Sequence, residues 1–469
     1  MNTIKRPNIL LLFTDQQRKD SLGCYGNPIA ITPNIDKLAD TGAVFENYYT
    51  QSPICMPSRV SLLTGKYCSA HGIGTNGPEV PDSMLTIQKR LKPYGYKTAN
   101  FGKLHFLPHS YRDHRDKHPD FGFDEHVISD EPGCYDDPYS QWVQHVAPEQ
   151  LEGIRTSLPP EARRFGKPEY SQQEREPQNP FIFEADEQYT HSSYVAELTN
   201  DFLERNENNK NPFFCISGFY APHTPINPPK RFLDLYEIEH MSKPILGEAE
   251  DVMESLRNIS PLEWQRIKQF YMALVSHVDD CVGKIVDKLK ETNLYDNTII
   301  VFVSDHGEYL GDHGRVQKGM PGEDVITNVP FIIHYPKALT PNRFDQLVES
   351  VDWLPTMLEM AGIPVANDIQ GKSLKALLQG VTSTHKDLII TEQFEPHGLR
   401  EVSVRDKQYR YYSNSEGEEL LFDLQNDSHE LNNVAKEQSH SDALSKMRFK
   451  MLQKIQQTAY PNVEKIFEY

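Results

Sequence analysis

The sequence predicts an α/β protein: a mostly parallel sheet flanked by helices, with a smaller α+β subdomain at the C-terminal end. Three observations carry this. Short, continuous apolar runs alternate with helical stretches, the pattern of strands covered on both faces. Polar residues follow those runs directly, as at the carboxyl ends of strands in an open sheet. From about Leu388 the pattern changes to tyrosine-rich β segments and a closing helix.

Taken in order, Asn8–Thr14 (NILLLFT) is the first buried strand and ends at Asp15. Thr32-Pro33 opens a helix over Asn34–Thr41, with a capping hydroxyl, a proline at the first position and Gly42 to close it. Pro57 stands in the first turn of a helix over Ser58–Thr64 that Gly65 stops. Thr86–Tyr94 is a helix ended by Gly95, and Tyr96–Phe101 is the second strand. Pro212–Ser217 (PFFCIS) is the third, Trp264–Thr292 a long helix, Thr298–Ser304 (TIIVFVS) the fourth strand and Val329–Tyr335 the fifth. Residues 107–187 are rich in Pro, His, Asp and aromatics with little periodicity, and read as an irregular insertion or lid. ITEQF, VSVRDKQYRYYS and ELLFDL read as an antiparallel meander, followed by a helix over Ser441–Gln457. The expected division is a catalytic domain over residues 1–385 and a subdomain over 386–469.

The formal charge of −19 excludes nucleic acid as the main partner, because phosphate binding needs a basic surface. It does not exclude a small anionic substrate, which a local cluster of cations can hold. The opening MNTIKRPNILLLFTDQQ has too short an apolar core for a signal peptide, and no run approaches a membrane span. The six cysteines (Cys24, Cys55, Cys68, Cys134, Cys215, Cys281) form no CxxC pair, so reduced thiols and a cytoplasmic location are expected.

Chemistry collects after the strands. Asp15-Gln16 follows the first, Lys103 and His105 the second, His223 the third and Asp305-His306 the fourth, so the seven converge on one site. Two carboxylates, an amide oxygen and an imidazole, with Cys55, suit one divalent cation: Ca²⁺ first, with Mg²⁺ or Mn²⁺ also accommodated. Cys55 sits at a helix N-terminus, where a free thiol is expected to have a depressed pKa and to act as a thiolate nucleophile. The plainer reading is a small buried residue.

C-M-P-S-R at Cys55–Arg59 resembles the C-x-P-S-R signature of type I, formylglycine-dependent sulfatases of the alkaline phosphatase superfamily. PNILLLFTDQQR, LGCYG (Leu22–Gly26), TPNIDKLA (Thr32–Ala39), LLTG, GKLH (Gly102–His105), APHTP (Ala221–Pro225) and VSDHGEYLGDHG (Val303–Gly314) are similar to that family's blocks, in its order. They span about residues 7 to 340, and ELLFDLQNDSHELNNVA is similar to its usual ending. The resemblance implies an alkaline-phosphatase-like fold and hydrolysis of a sulfate ester, on a sulfated saccharide or another small sulfate monoester.

It also implies that a maturation enzyme converts Cys55 to formylglycine, which hydrates to a geminal diol. One hydroxyl then attacks sulfur to form a covalent sulfate ester, and deprotonation of the other expels sulfate. Position by position, Asp15, Gln16, Cys55, Asp305 and His306 match the metal site, with Asp305 assisting deprotonation of the nucleophile. Arg59 matches the residue that steadies the hydrated aldehyde, and Lys103 and Lys318 match lysines that neutralise sulfate oxygens. His105 matches the histidine that hydrogen-bonds the diol, and His223 the acid for the leaving group.

Gln16 and His306 stand where many sulfatases have Asp and Asn. Asp-Gln resembles the choline-sulfatase and phosphonate monoester hydrolase branches, and Asp-His those and iduronate-2-sulfatase-like enzymes. Phosphonate monoester or phosphodiester hydrolysis is therefore the alternative. An inactive binding homologue is disfavoured, because nucleophile precursor, ligands and bases are all present. In HSYRDHRDKH the spacing of His109, His114 and His118 is irregular for a second metal, and the segment reads as a solvated or substrate-facing loop. Arg112 and Arg115 there are candidate contacts to the sulfate or carboxylate of a charged sugar. The sequence leaves the oligomeric state open.

Overall fold

In the computed structural model, residues 6–109, 112–156, 178–247, 252–395 and 397–459 are described. The elements that build the main body are β1 (Asn8–Asp15), α1 (Pro33–Asp40), β2 (Ala43–Phe45), α2 (Cys55–Thr64), β3 (Lys97–Gly102), β4 (Glu125–Ile128), α3 (Pro138–Val146), α4 (His191–Arg205), β5 (Phe213–Pro222), α5 (Pro261–Glu291), β6 (Thr298–Ser304), β7 (Phe331–His334), β8 (Asn342–Phe344) and α6 (Trp353–Met360). The strands form one eight-stranded sheet in the order β4-β3-β5-β1-β6-β7-β2-β8. Only β7 runs against its neighbours, antiparallel to both β6 and β2. Leu10 of β1 stands in register with Cys215 of β5 and Ile300 of β6.

The unbroken apolar run of β1 follows from burial on both faces. Ile9, Leu11 and Phe13 pack on a layer that includes Val60 and Leu63 of α2 and Trp353 of α6. Leu10 and Leu12 pack on the other layer, built by α1, α4 and α5. With no solvated face, the alternation of a half-exposed strand is lost.

The helix starts differ from expectation in instructive ways. α2 begins at Cys55 rather than near Ser58, and Pro57 is its third residue. Asn76 makes this possible, its Oδ1 accepting the Met56 N–H at 3.0 Å in place of a local cap. Thr32 does not cap α1; its hydroxyl accepts from Gly23 N–H and donates to Asp36. Asp279 of α5 reaches across and takes the free N–H groups of Asn34 and Ile35, at 3.0 and 2.7 Å. α5 starts earlier than its apolar periodicity, at Pro261, because Ser260 and Glu263 form a capping box.

The stretch 107–187 is not irregular throughout. It contributes β4, parallel to β3 at the sheet edge, and α3, whose N-cap Asp137 accepts from Ser140 N–H. α3 packs Tyr139 and Val143 against Tyr194 and Ile154. Within this stretch, residues 110–111 and 157–177 lie outside those described. β4 escaped sequence reading because only Ile128 of its four residues is buried, so no apolar run marks it.

At the C-terminal end, β9 (Ile389–Phe394), β10 (Arg400–Arg405), β11 (Tyr409–Asn414) and β12 (Glu419–Asp423) form the expected antiparallel meander, backed by α7 (Ser441–Thr458). Val404, Tyr411 and Leu421 meet Met447 and Met451 of α7. β9 is tied to the main body just upstream of α2: Glu392 N–H donates to the Gln51 carbonyl, and the Thr391 hydroxyl to the Thr50 carbonyl, both at 2.8 Å. Among the described residues, no helix is long and apolar enough to cross a membrane.

Candidate active site

β1, β3, β5 and β6 lie side by side, and their carboxyl ends bring Asp15, Lys103, His223 and Asp305 to one place. α2 aims its first residue, Cys55, at the same point. Cys55 Sγ lies 3.1 Å from His306 Nε2, 3.8 Å from Asp15 Oδ1 and 2.7 Å from Lys318 Nζ.

The two aspartates divide their oxygens. Arg59 donates to Asp305 Oδ2 at 2.8 Å and to Asp15 Oδ2 at 3.2 Å, and Lys103 Nζ meets Asp15 Oδ2 at 2.8 Å. The Oδ1 atoms face inward, each 3.7 Å from His306 Nε2. His306 gives its Nδ1–H to the Gly307 carbonyl at 2.9 Å, which leaves the Nε2 lone pair pointing inward as well. Asp305 Oδ1 already takes the Gln16 and His306 N–H groups at 3.0 and 2.9 Å, but Asp15 Oδ1 and the His306 Nε2 lone pair meet at the Cys55 thiol, an arrangement a cation relieves. One ligand atom each from Asp15, Cys55, Asp305 and His306 lies within 4.8 Å of all the others, and the four residues are buried. The donor set therefore fits a divalent metal.

Burial and charge set the protonation states. Burial pushes the Asp15 carboxyl up, but Lys103, His223, Lys318 and Arg59 together hold it well below the usual carboxylate range. Burial pulls Lys318 down, yet Cys55 and Asp15 raise it above an ordinary lysine, and Lys103 is raised in the same way by Asp15. Cys55 reverses the expectation of an activated thiolate. Burial first, and Asp15 next, push its thiol up to about 11 despite Lys318. A helix N-terminus does not offset the loss of water around a residue only 1% exposed.

Gln16 is not a solvent-facing strand end. Its Oε1 accepts from Lys318 at 3.2 Å, and its Nε2 donates to the buried carboxylate of Glu308. His223 gives Nδ1–H to the Thr224 carbonyl at 2.7 Å, so Nε2 accepts from Lys318 Nζ at 3.0 Å. Burial and Lys318 hold its ring well below the usual histidine range. His105 has a φ of 57°, fixed by Asp130, whose Oδ1 accepts the N–H groups of Leu104 and His105 at 2.8 Å each. Its ring, kept neutral by burial, lies 4.4 Å from that of His109.

HSYRDHRDKH, read as a solvated or substrate-facing loop, is solvated in part: Asp113, Arg115, Asp116 and Lys117 are exposed, whereas its histidines pack inward. His109 packs on His105 and lies 3.7 Å from Glu131; His114 stacks on Tyr135 at 3.8 Å; His118 is buried. They do not share one site. Arg115 forks onto Asp113 at the surface. Sequence reasoning missed Glu308, Asp130 and Glu131, which act through neighbours rather than from strand ends. The only signal for Glu308 is its place two residues after His306; Asp130 and Glu131 lay hidden in the stretch read as a lid.

Comparison with known proteins follows the same lines. A family model described as Sulfatase matches residues 7–363, and one described as N-sulphoglucosamine sulphohydrolase, C-terminal, matches residues 311–457. The chain is 30% identical over 465 residues to an arylsulfatase of Clostridium perfringens, covering 94% of this chain and 93% of that protein. It is 27% identical over 486 residues to an N-acetylglucosamine-6-O-sulfatase of Bacteroides thetaiotaomicron, covering 92% and 83%. Its fold matches the crystal structure of a phosphonate monoester hydrolase of Agrobacterium radiobacter with a TM-score of 0.80 at 21% identity, over 96% of each chain.

Proposed function

This chain belongs to the sulfatase family, in the alkaline phosphatase superfamily, and is a sulfuric ester hydrolase; we propose that it acts through a formylglycine made from Cys55 and one divalent cation. The observation that carries the proposal is the surrounding of Cys55: a protonated thiol at a helix start, wedged between Lys318, His306 and the inward oxygen of Asp15. That thiol is a poor nucleophile, and a modified side chain answers the difficulty.

Asp15, Asp305 and His306, with the Gln16 amide oxygen, would hold the cation. An oxygen-rich set with one nitrogen suits Ca²⁺ first, then Mg²⁺ or Mn²⁺. Together, cation and hydrated formylglycine would supply an activated hydroxyl and a Lewis acid beside the sulfate oxygens. The remaining roles fall to the chain. Arg59 fixes both aspartates by their outer oxygens, so their inner oxygens stay aimed at position 55. Lys103 and Lys318, both held charged, would neutralise the sulfate. The Lys318–His223 pair holds a proton at the Nζ–Nε2 contact and would pass it to the leaving oxygen. Neutral His105, two residues beyond Lys103, would accept a proton as sulfate departs.

A proton donor matters most for an alkoxide leaving group, and one relative is named for a sulfated amino sugar. The proposed substrate is accordingly a sulfated saccharide or a similar small sulfate monoester. The alternative is phosphonate monoester hydrolysis, which the neutral Gln16 amide would favour by leaving the site less negative. All six cysteines are free, which supports a reducing, cytoplasmic setting. Residues 1–385 would form the catalytic domain and 386–469 a subdomain that braces it. Because Cys55 is buried, the maturation enzyme would have to reach it before the core closes.

The test is a mass measurement of the Cys55 peptide together with turnover of Cys55→Ala. The expected results are the formylglycine mass and loss of turnover in a folded variant. Full activity of Cys55→Ala would overturn the mechanism.

A further inference from the structure

Gln16 is pinned on every side. Its φ is 64°, its N–H donates to Asp305 Oδ1 at 3.0 Å, and its carbonyl accepts the Tyr271 hydroxyl at 2.7 Å. The side chain has two chemically opposite ends of nearly the same shape, and neighbours decide which end faces which way. Lys318 is a donor only, so it demands the amide oxygen. Glu308, on the other side, meets the amide nitrogen with Oε2. Its second oxygen is already taken by backbone donors, Leu310 N–H at 3.1 Å and Gln317 N–H. Both Gln16 and Glu308 are 1% exposed, so water does not substitute for either partner.

We infer that Glu308 is a positioning residue: it fixes the Gln16 carboxamide with oxygen toward the cation site and anchors the Gln317–Lys318 turn. One carboxylate thereby joins the end of β1 to the loop that carries Lys318. A carboxylate at position 16 has no N–H to give Glu308 Oε2. The neutral amide at 16 is thus a consequence of Glu308 as well as a property of the cation site. This rests on the cation site proposed above.

The inference predicts a reciprocal rescue. In Glu308→Gln, the new oxygen satisfies the Leu310 and Gln317 N–H groups, and the new NH₂ meets the NH₂ of Gln16. In Gln16→Glu, the N–H that Glu308 Oε2 accepts is lost. In the double variant, Gln16→Glu with Glu308→Gln, the hydrogen bond returns in the reverse direction and net charge is unchanged. Ca²⁺ and Mg²⁺ affinity would be measured by calorimetry on the folded full-length chain, with thermal stability alongside. Each single change should weaken cation binding about tenfold, and the double should recover to within about threefold of the parent.

If the parent binds no divalent cation, the cation site itself is wrong. If the parent binds and the singles match it, or the double is weaker than either single or does not fold, the role of Glu308 is overturned. A single variant that fails to fold while the double folds and binds supports it.

Discussion

Arg59 is wholly buried, with its guanidinium 4.4 Å above the Phe13 ring and hydrogen-bonded to both Asp15 and Asp305. Removing it leaves two buried carboxylates short of their cation, and breaking such a set costs about 3–5 kcal/mol. Arg59→Ala should therefore lower the unfolding free energy by that amount in denaturant titration and abolish turnover; a variant of unchanged stability would contradict the geometry. Arg59 was legible in the sequence because it lies one turn beyond Cys55 in a recognisable block, as were the ligands at the strand ends. Glu308 and Asp130 were not, because their importance comes from which N–H groups they accept, and folding alone brings those together. The state of the Cys55 thiol was also misjudged. Position along a helix is visible in a sequence, but the depth at which that helix is buried is not.

Among the elements, the contact of β3 with β5 sets the height of Lys103. Gly218 of β5 accepts the Lys103 N–H at 2.8 Å, and a Cβ on Gly218 would stand 2.3 Å from the Lys103 carbonyl oxygen. The two strands cannot stay in place around a methyl group there. Gly218→Ala should cost about 1–3 kcal/mol from overpacking and lower kcat/KM about 10- to 100-fold as Lys103 shifts from Asp15. Wild-type kinetics in this variant would show that the height of Lys103 is not critical. Long strands and helices with uniform burial could be read directly, β1, α5 and β6 above all. The short edge strand β4 and the start of α2 could not, since one lacks an apolar run and the other borrows its cap from Asn76.

For the whole molecule, buried neutral histidines set the acid limit. His71 accepts the Ile73 N–H with Nδ1 and meets Ser61 with Nε2, and burial brings its pKa down to about 3. His277 is likewise brought down by burial, to about 4. Both folded values lie below the unfolded one, so their contribution is full above about pH 6.5 and is lost as pH falls. Between pH 7 and pH 5 each should remove about 2 kcal/mol of stability. Denaturant midpoints unchanged over that range would refute the neutral assignment. The α/β architecture and the meander behind it were legible as a whole because their pattern is carried by many residues at once. The central claim, that this site transfers sulfate, is tested most directly by kcat/KM on formylglycine-bearing protein, for an aryl sulfate and an aryl phosphonate monoester with the same leaving group. The account predicts a clear preference for the sulfate. A preference for the phosphonate would contradict it and assign the Gln16–His306 site to phosphoryl chemistry.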